Sequence, residues 1–266
     1  MYFESHGSGP RTLILLHGFG ATSETWRDIL PLLIQDARVI LLDLKGFGRA
    51  LKPADNRYGL RDHVDYVQQF IEQQQLERVI LVGNSFGGAV AIATQMRSPR
   101  VEGLVLIASA AYPQDLPPFI YLLQLPLIGR LILQLVPARQ RVTMVLRHAM
   151  HDPKRVTPER VERHAAFLDL PGSHQAAIAT ARQIIPDDHD RFLAGLKNIP
   201  VPALILWGDH DRVLPTAFAT RLHADIPQST MHILKDCGHV PQEERPDETA
   251  GHILEFLRAS FPVVDE

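Results

Sequence analysis

The sequence predicts an α/β fold with a mostly parallel central sheet flanked by helices, and three observations lead to this prediction. Short apolar runs bounded by glycine or proline alternate with longer stretches of helical periodicity along the 266-residue chain. The runs are apolar throughout, which is typical of parallel strands that helices cover on both faces. Residues 108–202 separate the fourth run from the fifth, far more chain than one crossover helix requires. We therefore expect one sheet domain that carries an insertion.

The predicted elements of the sheet domain alternate in chain order. The strands are residues 12–16, 39–42, 79–82, 104–107, 203–207 and 231–234. The helices are residues 25–33, 60–74, 86–96 and a C-terminal helix that begins near residue 246 and includes 253–257. This alternation assigns residues 1–111 and 189–266 to one core domain.

The insertion, residues 112–188, is predicted to be a helical cap over the ends of the strands. One predicted helix carries apolar residues at the three- and four-residue spacing of a single face, namely Ile128, Leu131, Ile132 and Leu135. A second helix is expected from Pro158 to Leu168, with Thr157 as its N-cap.

Composition and charge exclude several classes of function. A hydrophobic content of 45% is enough for a large core, and the net charge of −3 is not arranged as a basic stripe. We therefore expect neither nucleic acid nor a membrane as a partner, and the prolines and arginine within the apolar residues 116–136 argue against membrane insertion. The single cysteine, Cys237, excludes an internal disulfide. No segment near Met1 resembles a secretory signal, which predicts a cytoplasmic location.

The stretch Gly83-Asn84-Ser85-Phe86-Gly87 places a polar serine between a buried strand and a helix. In this strand-to-helix context, a G-x-S-x-G sequence forms a sharp turn that lifts the serine hydroxyl above the strand ends. Glycine is needed at positions 83 and 87 because a side chain there would collide with neighbouring backbone. The free N–H groups of the following helix can stabilise a developing negative charge. Ser85 is therefore a candidate nucleophile.

Two later segments supply an acid and a histidine in the chain order that a hydrolase triad of this kind requires. The predicted strand 203–207 is followed by Gly208-Asp209-His210-Asp211-Arg212-Val213-Leu214-Pro215. The strand 231–234 is followed by Lys235-Asp236-Cys237-Gly238-His239.

Together these motifs resemble those of the α/β-hydrolase superfamily over nearly the whole chain. The segments that carry the resemblance are residues 17–20 (HGFG), 43–48 (DLKGFG), 83–88 (GNSFGG), 208–215 (GDHDRVLP) and 237–241 (CGHVP). The resemblance implies the α/β-hydrolase fold and a serine hydrolase that needs no cofactor. Members of the superfamily usually open with a longer β-hairpin, whereas only residues 2–5 precede the turn at Gly7 here. We therefore expect the first strand of that hairpin to be missing and the sheet to have seven strands.

The resemblance also implies a catalytic triad of Ser85, Asp211 and His239. Asp211 stands four residues before Pro215, as the superfamily's acid does, and Asp209 is the alternative acid. The acid would hold the imidazole of His239 in the tautomer that accepts the serine proton, so that His239 acts first as general base and then as general acid.

An oxyanion hole and a substrate pocket are expected around this triad. The backbone N–H groups of Phe19 and Phe86 would form the hole, by analogy with the superfamily. Cap residues are candidates for an apolar roof of the pocket, although each of them can equally serve only to pack the cap onto the core. The expected substrate-binding residues are Phe19, Asn84, Phe86, Phe119, Leu122, Leu125, Ile128, Val213 and Val240.

Other polar residues are expected to be structural. His17 is expected to fasten its loop by hydrogen bonds, and Asp43 and Lys45 to belong to a strand-end loop. The histidines of the insertion have no acidic partner at a spacing typical of metal ligands, so no metal site is expected. These histidines include His148, His151, His164 and His174.

The expected reaction is hydrolysis of a carboxylic ester of a small to medium, largely apolar molecule through an acyl-enzyme on Ser85. A serine nucleophile excludes, by resemblance, the dehalogenase and epoxide hydrolase branches, which use aspartate. A carbon–carbon bond hydrolase of ring-fission diketones is the alternative, which Asn84 and residues 152–157 also resemble. Residues 17–22 lack the Gly-Pro-Gly usual in that group, and Val240 replaces its common aromatic residue. A third possibility is a ligand receptor that kept the fold without turnover.

Overall fold

The inner strands of the central sheet are apolar segments that are buried on both faces. The computed structural model describes residues 1–113 and 116–262, apart from the side chain of residue 126. The described strands are β1 (Phe3–His6), β2 (Thr12–Leu16), β3 (Arg38–Leu42), β4 (Val79–Asn84), β5 (Val101–Ile107), β6 (Ala203–Gly208) and β7 (Ser229–Leu234). They form one seven-stranded sheet in the order β1-β3-β2-β4-β5-β6-β7, in which only the pair β1–β3 is antiparallel. The predicted α/β fold with a mostly parallel, seven-stranded sheet is confirmed.

The short stretch ahead of Gly7 forms the edge strand β1. It pairs with β3 in the register that places Phe3 opposite Leu42 and His6 opposite Val39. The side chain of Phe3 packs edge-on against Phe70, with ring centroids 5.0 Å apart. A single strand therefore occupies the edge where the sequence analysis expected a shortened hairpin.

Helices connect the strands and cover both faces of the sheet. The described α-helices are α1 (Leu30–Leu33), α2 (Leu60–Gln73), α3 (Phe86–Gln95), α4 (Pro118–Gln124), α5 (Pro126–Leu135), α6 (Ala138–Ala149), α7 (Pro158–Ala165), α8 (Ser173–Arg182), α9 (His189–Leu196), α10 (Ala217–Asp225), α11 (Pro241–Glu244) and α12 (Pro246–Ser260). Thr157 Oγ1 accepts a hydrogen bond from Arg160 N at 3.3 Å, as expected of the N-cap of α7.

The helix predicted over residues 25–33 is interrupted. A 3₁₀ turn, Ser23–Trp26, comes first, and α1 begins only at Leu30. The reason is Pro31, which lacks an N–H donor and would clash with the carbonyl of the preceding turn in the middle of a longer helix. A proline is tolerated within the first turn of a helix, where it stands in α1.

The helices α4–α8 lie between β5 and α9 in the region predicted to be a cap, of which residues 114 and 115 lie outside the described residues. This region is joined to the core by charged side chains around Glu243. Arg160 Nη1 and His164 Nε2 lie 2.6 Å and 3.0 Å from Glu243 Oε2, and Thr25 Oγ1 donates to Glu243 Oε1 at 2.5 Å. Arg160 also pairs with Asp28 at 2.8 Å.

The carboxyl group of Glu243 is fully buried in this network. Burial raises its pKa, but the positive charges and hydrogen bonds of its partners outweigh that effect and lower the pKa to about 2. Glu243 therefore carries its negative charge at neutral pH and connects α7 to the core.

Among the described residues, no single helix is both long enough and apolar enough to cross a bilayer. The pair Pro118–Gln124 and Leu127–Leu135, bent by 113°, meets the criteria of length and composition only when its two helices are taken together. The cytoplasmic location stays a prediction.

Candidate active site

Ser85 occupies the turn between β4 and α3 in a backbone conformation that non-glycine residues rarely adopt. Its φ is 54° and its ψ is −119°. A Cβ atom at Gly83 would lie 2.4 Å from the carbonyl oxygen of Gly87, and one at Gly87 would lie 2.2 Å from the carbonyl oxygen of Leu16. The glycines therefore permit the close backbone approach that the turn requires, as the sequence analysis predicts.

Asp211 and His239 meet at the carboxyl ends of β6 and β7. His239 Nδ1 lies 2.8 Å from Asp211 Oδ2, and both side chains are buried. The other oxygen, Asp211 Oδ1, accepts the backbone N–H groups of Val213 and Leu214 at 2.8 Å and 2.9 Å. Because a carboxylate only accepts hydrogen bonds, Nδ1 of His239 carries the proton and Nε2 keeps its lone pair.

The alternative acid, Asp209, has a different partner. Its Oδ1 lies 2.6 Å from His210 Nδ1 and accepts a hydrogen bond from Cys237 N at 3.2 Å. Of the two candidate acids, the fold therefore brings Asp211 to His239.

Ser85 and His239 line the same pocket. The described hydrogen bonds include none between Ser85 Oγ and the ring of His239, and such contacts are often long in the absence of substrate. The loops that carry the two residues are tied together by Asn84, whose Nδ2 donates to the carbonyl oxygens of Ile107 and His239, at 3.1 Å each. Asn84 is buried beneath the site and does not line the pocket.

Two backbone N–H groups are available beside Ser85. Phe86 N stands at the first residue of α3, and Phe19 follows β2 in a loop that passes close to the serine. A Cβ atom at Gly18 would lie 3.2 Å from Ser85 Cβ. Within the part of the chain that the structure describes, neither amide donates to a backbone carbonyl outside its own element. Both can therefore donate to a bound oxygen atom.

His17 fastens the loop that carries Phe19. Its Nδ1 donates to the carbonyl oxygen of Gly18 at 2.8 Å, and its Nε2 accepts the N–H of Leu44 at 3.0 Å. Burial lowers the pKa of His17, so the ring is neutral, as this pair of hydrogen bonds requires. Asp43 accepts two backbone N–H groups, those of Ser23 and Arg49, and is structural as expected.

The pocket above Ser85 is largely apolar and encloses about 1090 Å³, including the part that is open to solvent. Four of the expected substrate-binding residues line it, namely Phe19, Phe86, Phe119 and Val213. Its described lining contains no lysine, arginine, aspartate or glutamate. The polar side chains of the lining are those of Ser85, Tyr112, His148, His189 and His239.

Three expected roof residues lie elsewhere. Leu122, Leu125 and Ile128 are exposed to solvent and do not line the pocket. The opposite sides of α4 and α5, which carry Ile120 and Leu133, pack inward in a cluster with α8. An apolar helix face can be identified from sequence spacing, but its spacing does not say which side of the helix meets the core.

Val240 also lies outside the pocket. It belongs to a buried cluster with residues of α6 and α7, including Leu146 and Val161. This valine therefore packs the loop of His239 against the predicted cap and does not touch a substrate in the pocket.

Sequence reasoning missed the pocket residues between α8 and α9. Ile184, Ile185, Pro186 and His189 come from this segment. Both ring nitrogens of His189 are buried without a hydrogen-bond partner among the described residues. Nothing in the local sequence distinguishes this histidine from an exposed one.

Sequence reasoning also missed Glu244, which supports the loop of His239. Its Oε1 accepts the N–H of Gly238 at 2.8 Å, and its Oε2 accepts the N–H of His151 at 2.8 Å. The carboxyl group thus joins the histidine loop to the chain that follows α6. The position of two acidic residues directly after the His239 motif was the only signal.

Comparison with known proteins identifies the family. The alpha/beta hydrolase family matches residues 13–252, so the chain belongs to this family and is a hydrolase. The chain is 29% identical to the uncharacterized hydrolase YugF of Bacillus subtilis, over 97% of this chain and 94% of that protein. It is 28% identical to a 2-hydroxy-6-oxo-6-(2'-aminophenyl)hexa-2,4-dienoic acid hydrolase of Metapseudomonas resinovorans, over 96% of this chain and 86% of that protein.

Two solved structures extend the comparison. The meta-cleavage product hydrolase CumD of Pseudomonas fluorescens is 26% identical, with a TM-score of 0.81 over 97% of this chain and 93% of that chain. A thermophilic esterase from Thermogutta terrifontis is also 26% identical, with a TM-score of 0.79 over the same shares. The fold is therefore similar to that of hydrolases with different substrates.

Proposed function

We propose that this α/β-hydrolase cleaves carboxylic esters of small to medium, largely apolar molecules through an acyl-enzyme on Ser85. The observation that carries the proposal is the pocket. Ser85 belongs to its lining, which is largely apolar and contains no lysine, arginine, aspartate or glutamate in its described part. Burial of apolar substrate surface there is favourable by about 25 cal/mol per Å². The likeness to the esterase of Thermogutta terrifontis supports the same reaction.

In the first step, Ser85 Oγ attacks the ester carbonyl carbon and His239 Nε2 takes the serine proton. Asp211, which lies 2.8 Å from His239 Nδ1, stabilises the imidazolium that forms. The carbonyl oxygen becomes an oxyanion and accepts the N–H groups of Phe19 and Phe86. His239 then returns the proton to the alcohol, which leaves as the acyl group stays on Ser85.

The second step releases the acid. His239 removes a proton from a water molecule, which attacks the acyl carbon, and the same two N–H groups stabilise the second oxyanion. The bond to Ser85 Oγ breaks, and the proton on His239 passes to the serine oxygen. The products are one carboxylic acid and one alcohol, and the two steps require no cofactor.

Hydrolysis of a carbon–carbon bond is the second candidate, because the relatives from Metapseudomonas resinovorans and Pseudomonas fluorescens are a dienoic acid hydrolase and a meta-cleavage product hydrolase. A dienoic acid is ionised at neutral pH. Burying its carboxylate without a cationic partner is costly, and the described lining contains no lysine or arginine to meet it. The pocket therefore favours the ester.

The test is hydrolysis of p-nitrophenyl esters with short, medium and long acyl chains by the wild type and by Ser85→Ala. We expect turnover by the wild type, with a preference for one chain length, and a loss of at least ~10³-fold in the variant. Ser8→Ala is the matched control, since Ser8 is exposed in the connection between β1 and β2 and does not line the pocket.

A wild type that is inert toward every ester would overturn the proposal. Cleavage of a 2-hydroxy-6-oxo-dienoic acid under the same conditions would then establish the second candidate. Tight binding of these compounds without turnover would instead point to the receptor.

A further inference from the structure

Three potential metal ligands meet beside the active site, although they come from three separate segments. His151 follows α6, His210 follows β6 next to Asp211, and Asp236 follows β7 in the loop of His239. One ligand atom from each of the three side chains lies within 4.8 Å of the other two. We propose that His151, His210 and Asp236 form a binding site for a divalent transition-metal ion of the zinc type.

The set of donor atoms fits such an ion. Two imidazole nitrogens and one carboxylate oxygen are common ligands of Zn²⁺, and they leave a fourth position for water. In a tetrahedral site with bonds of ~2.0–2.2 Å, neighbouring ligand atoms lie roughly 3.4 Å apart. The exposed fractions of the His210 and Asp236 side chains, 48% and 71%, leave both free to rotate by the small amount that closes the site.

His210 already has the hydrogen bond that metal-binding histidines commonly make with a carboxylate. Its Nδ1 lies 2.6 Å from Asp209 Oδ1, which also accepts the N–H of Cys237. This contact places the proton on Nδ1 and leaves the lone pair of Nε2 for a ligand. Asp209 does not contact His239. In this proposal its role is to orient His210.

His151 supplies the second observation. Its Nδ1 is buried and has no hydrogen-bond partner among the described residues, which is costly for a polar atom. Its ring lies against that of His210, with centroids 4.0 Å apart.

Two charged residues contact members of the proposed site. Arg245 Nη2 lies 3.7 Å from Asp236 Oδ2, and Glu244 accepts the backbone N–H of His151. The arginine contact is long and exposed, and such surface pairs contribute little to stability. A metal ion can therefore displace it, whereas the Glu244 contact leaves the His151 ring free.

A bound ion would join the predicted cap to both loops that hold the acid and the histidine of the site. His210 is adjacent to Asp211, and the N–H of His239 donates to the carbonyl oxygen of Ala149 at 2.7 Å. No metal site is expected from the sequence, because His151 has no acidic partner at a spacing typical of metal ligands. The fold supplies that partner from β7.

The test is the binding of Zn²⁺ to the full chain, measured by competition with a chromophoric chelator and by the melting temperature with and without the ion. We expect one ion per chain and a higher melting temperature in its presence. His210→Ala and Asp236→Ala should each weaken binding by at least ~10-fold, and Asp209→Asn by ~10–100-fold. Because Asp236 is exposed, Asp236→Ala remains informative if His210→Ala fails to fold.

His232→Ala is the matched control. Its ring also stacks on a second histidine, His252, at 4.1 Å, but the described residues offer no third ligand there. We expect this variant to bind Zn²⁺ like the wild type. Unchanged binding in both His210→Ala and Asp236→Ala, or no binding by the wild type, would overturn the proposal. Because no substrate is present, this result is independent of the ester hydrolysis test.

Discussion

The sheet core and the predicted cap are stabilised in different ways. In the core, side chains such as Leu15, Val82 and Leu206 are completely buried. In the cap, Leu127 and Leu135 are 75% and 73% exposed, so their apolar surface contributes little to stability. The predicted cap is connected to the core by small apolar clusters, such as the one around Val240, and by the buried charges around Glu243.

This difference assigns the proposed chemistry to the core and much of the pocket, which would select the substrate, to the predicted cap. Dense apolar packing holds the strand ends that carry Ser85 and Asp211, so the proposed catalytic groups belong to the more rigid region. The predicted cap lines much of the pocket, but it is attached by a few ion pairs and by apolar clusters much smaller than those of the sheet. We therefore expect the cap to open at a lower free energy than the core unfolds.

The largest expected effect concerns the core. Asp211→Asn should lower kcat for ester hydrolysis by ~10⁴-fold, because an amide in place of the carboxylate no longer holds His239 in the required tautomer. The melting temperature should change little, since asparagine retains the shape and one acceptor oxygen. The measurement is steady-state hydrolysis of the preferred p-nitrophenyl ester, with the exposed Asp36→Asn as control. A loss of less than tenfold would assign the acid elsewhere.

The next effect tests the attachment of the cap. Glu243→Gln should lower the free energy of unfolding by ~3–5 kcal/mol, because it leaves the guanidinium of Arg160 without its buried carboxylate partner. Glu255→Gln, in an exposed position of α12, is the control and should stay within ~0.5 kcal/mol of the wild type. Urea unfolding at neutral pH measures both.

The same carboxyl group predicts a pH dependence. Its pKa is about 2 in the folded protein and 4.5 ordinarily, so its contribution is fully present above pH 4.5 and is lost as the pH falls toward 2. Wild-type stability should therefore decrease across this window, and the decrease should be smaller in Glu243→Gln. Equal slopes in the two proteins would show that Glu243 does not control acid stability.

A pair of leucines compares the two regions directly. Leu81 is completely buried in β4, and Leu131 is 51% exposed on α5. Leu81→Ala should cost ~2–5 kcal/mol of unfolding free energy, and Leu131→Ala no more than ~0.5 kcal/mol. Chemical denaturation measures both variants. A large cost for Leu131→Ala would mean that another surface covers this face of the cap in solution.

The smallest effect concerns selectivity. His189→Phe removes the unpaired ring nitrogens from the pocket lining and should lower KM for long acyl chains a few-fold, with kcat nearly unchanged. Kinetics across the ester series, with the remote His223→Phe as control, measure the change. If KM is unaffected at every chain length, the substrate does not reach this side of the pocket.

Much of the fold was predictable because its signals are local. Apolar runs predict β2–β7 with small errors at their ends. The glycines around Ser85 predict a strained turn, and φ of Ser85 is 54°. The break at Pro31 is also a local signal. The apolar pattern of residues 25–33 nevertheless led to the prediction of one continuous helix. A proline within a helical pattern should have ended the predicted helix.

The helices of the predicted cap show that local sequence signals do not predict which helix face is buried. Ile128, Leu131 and Leu135 do share one face of α5, as predicted, but this face is exposed and Leu133 points inward. Helical spacing depends only on the geometry of one helix, whereas burial depends on which neighbour packs against it. The predicted boundaries of the cap domain stay a prediction.

The sequence by itself determined the fold class and the turn at Ser85, because apolar runs and backbone sterics act over a few residues. The order of Ser85, the candidate acids and His239 along the chain is also present in the sequence and resembles that of the family's triad. Only the tertiary structure decided that Asp211 and not Asp209 contacts His239, which residues line the pocket, and that His151, His210 and Asp236 meet. These contacts join distant segments, and their geometry follows from how the whole sheet and its helices pack.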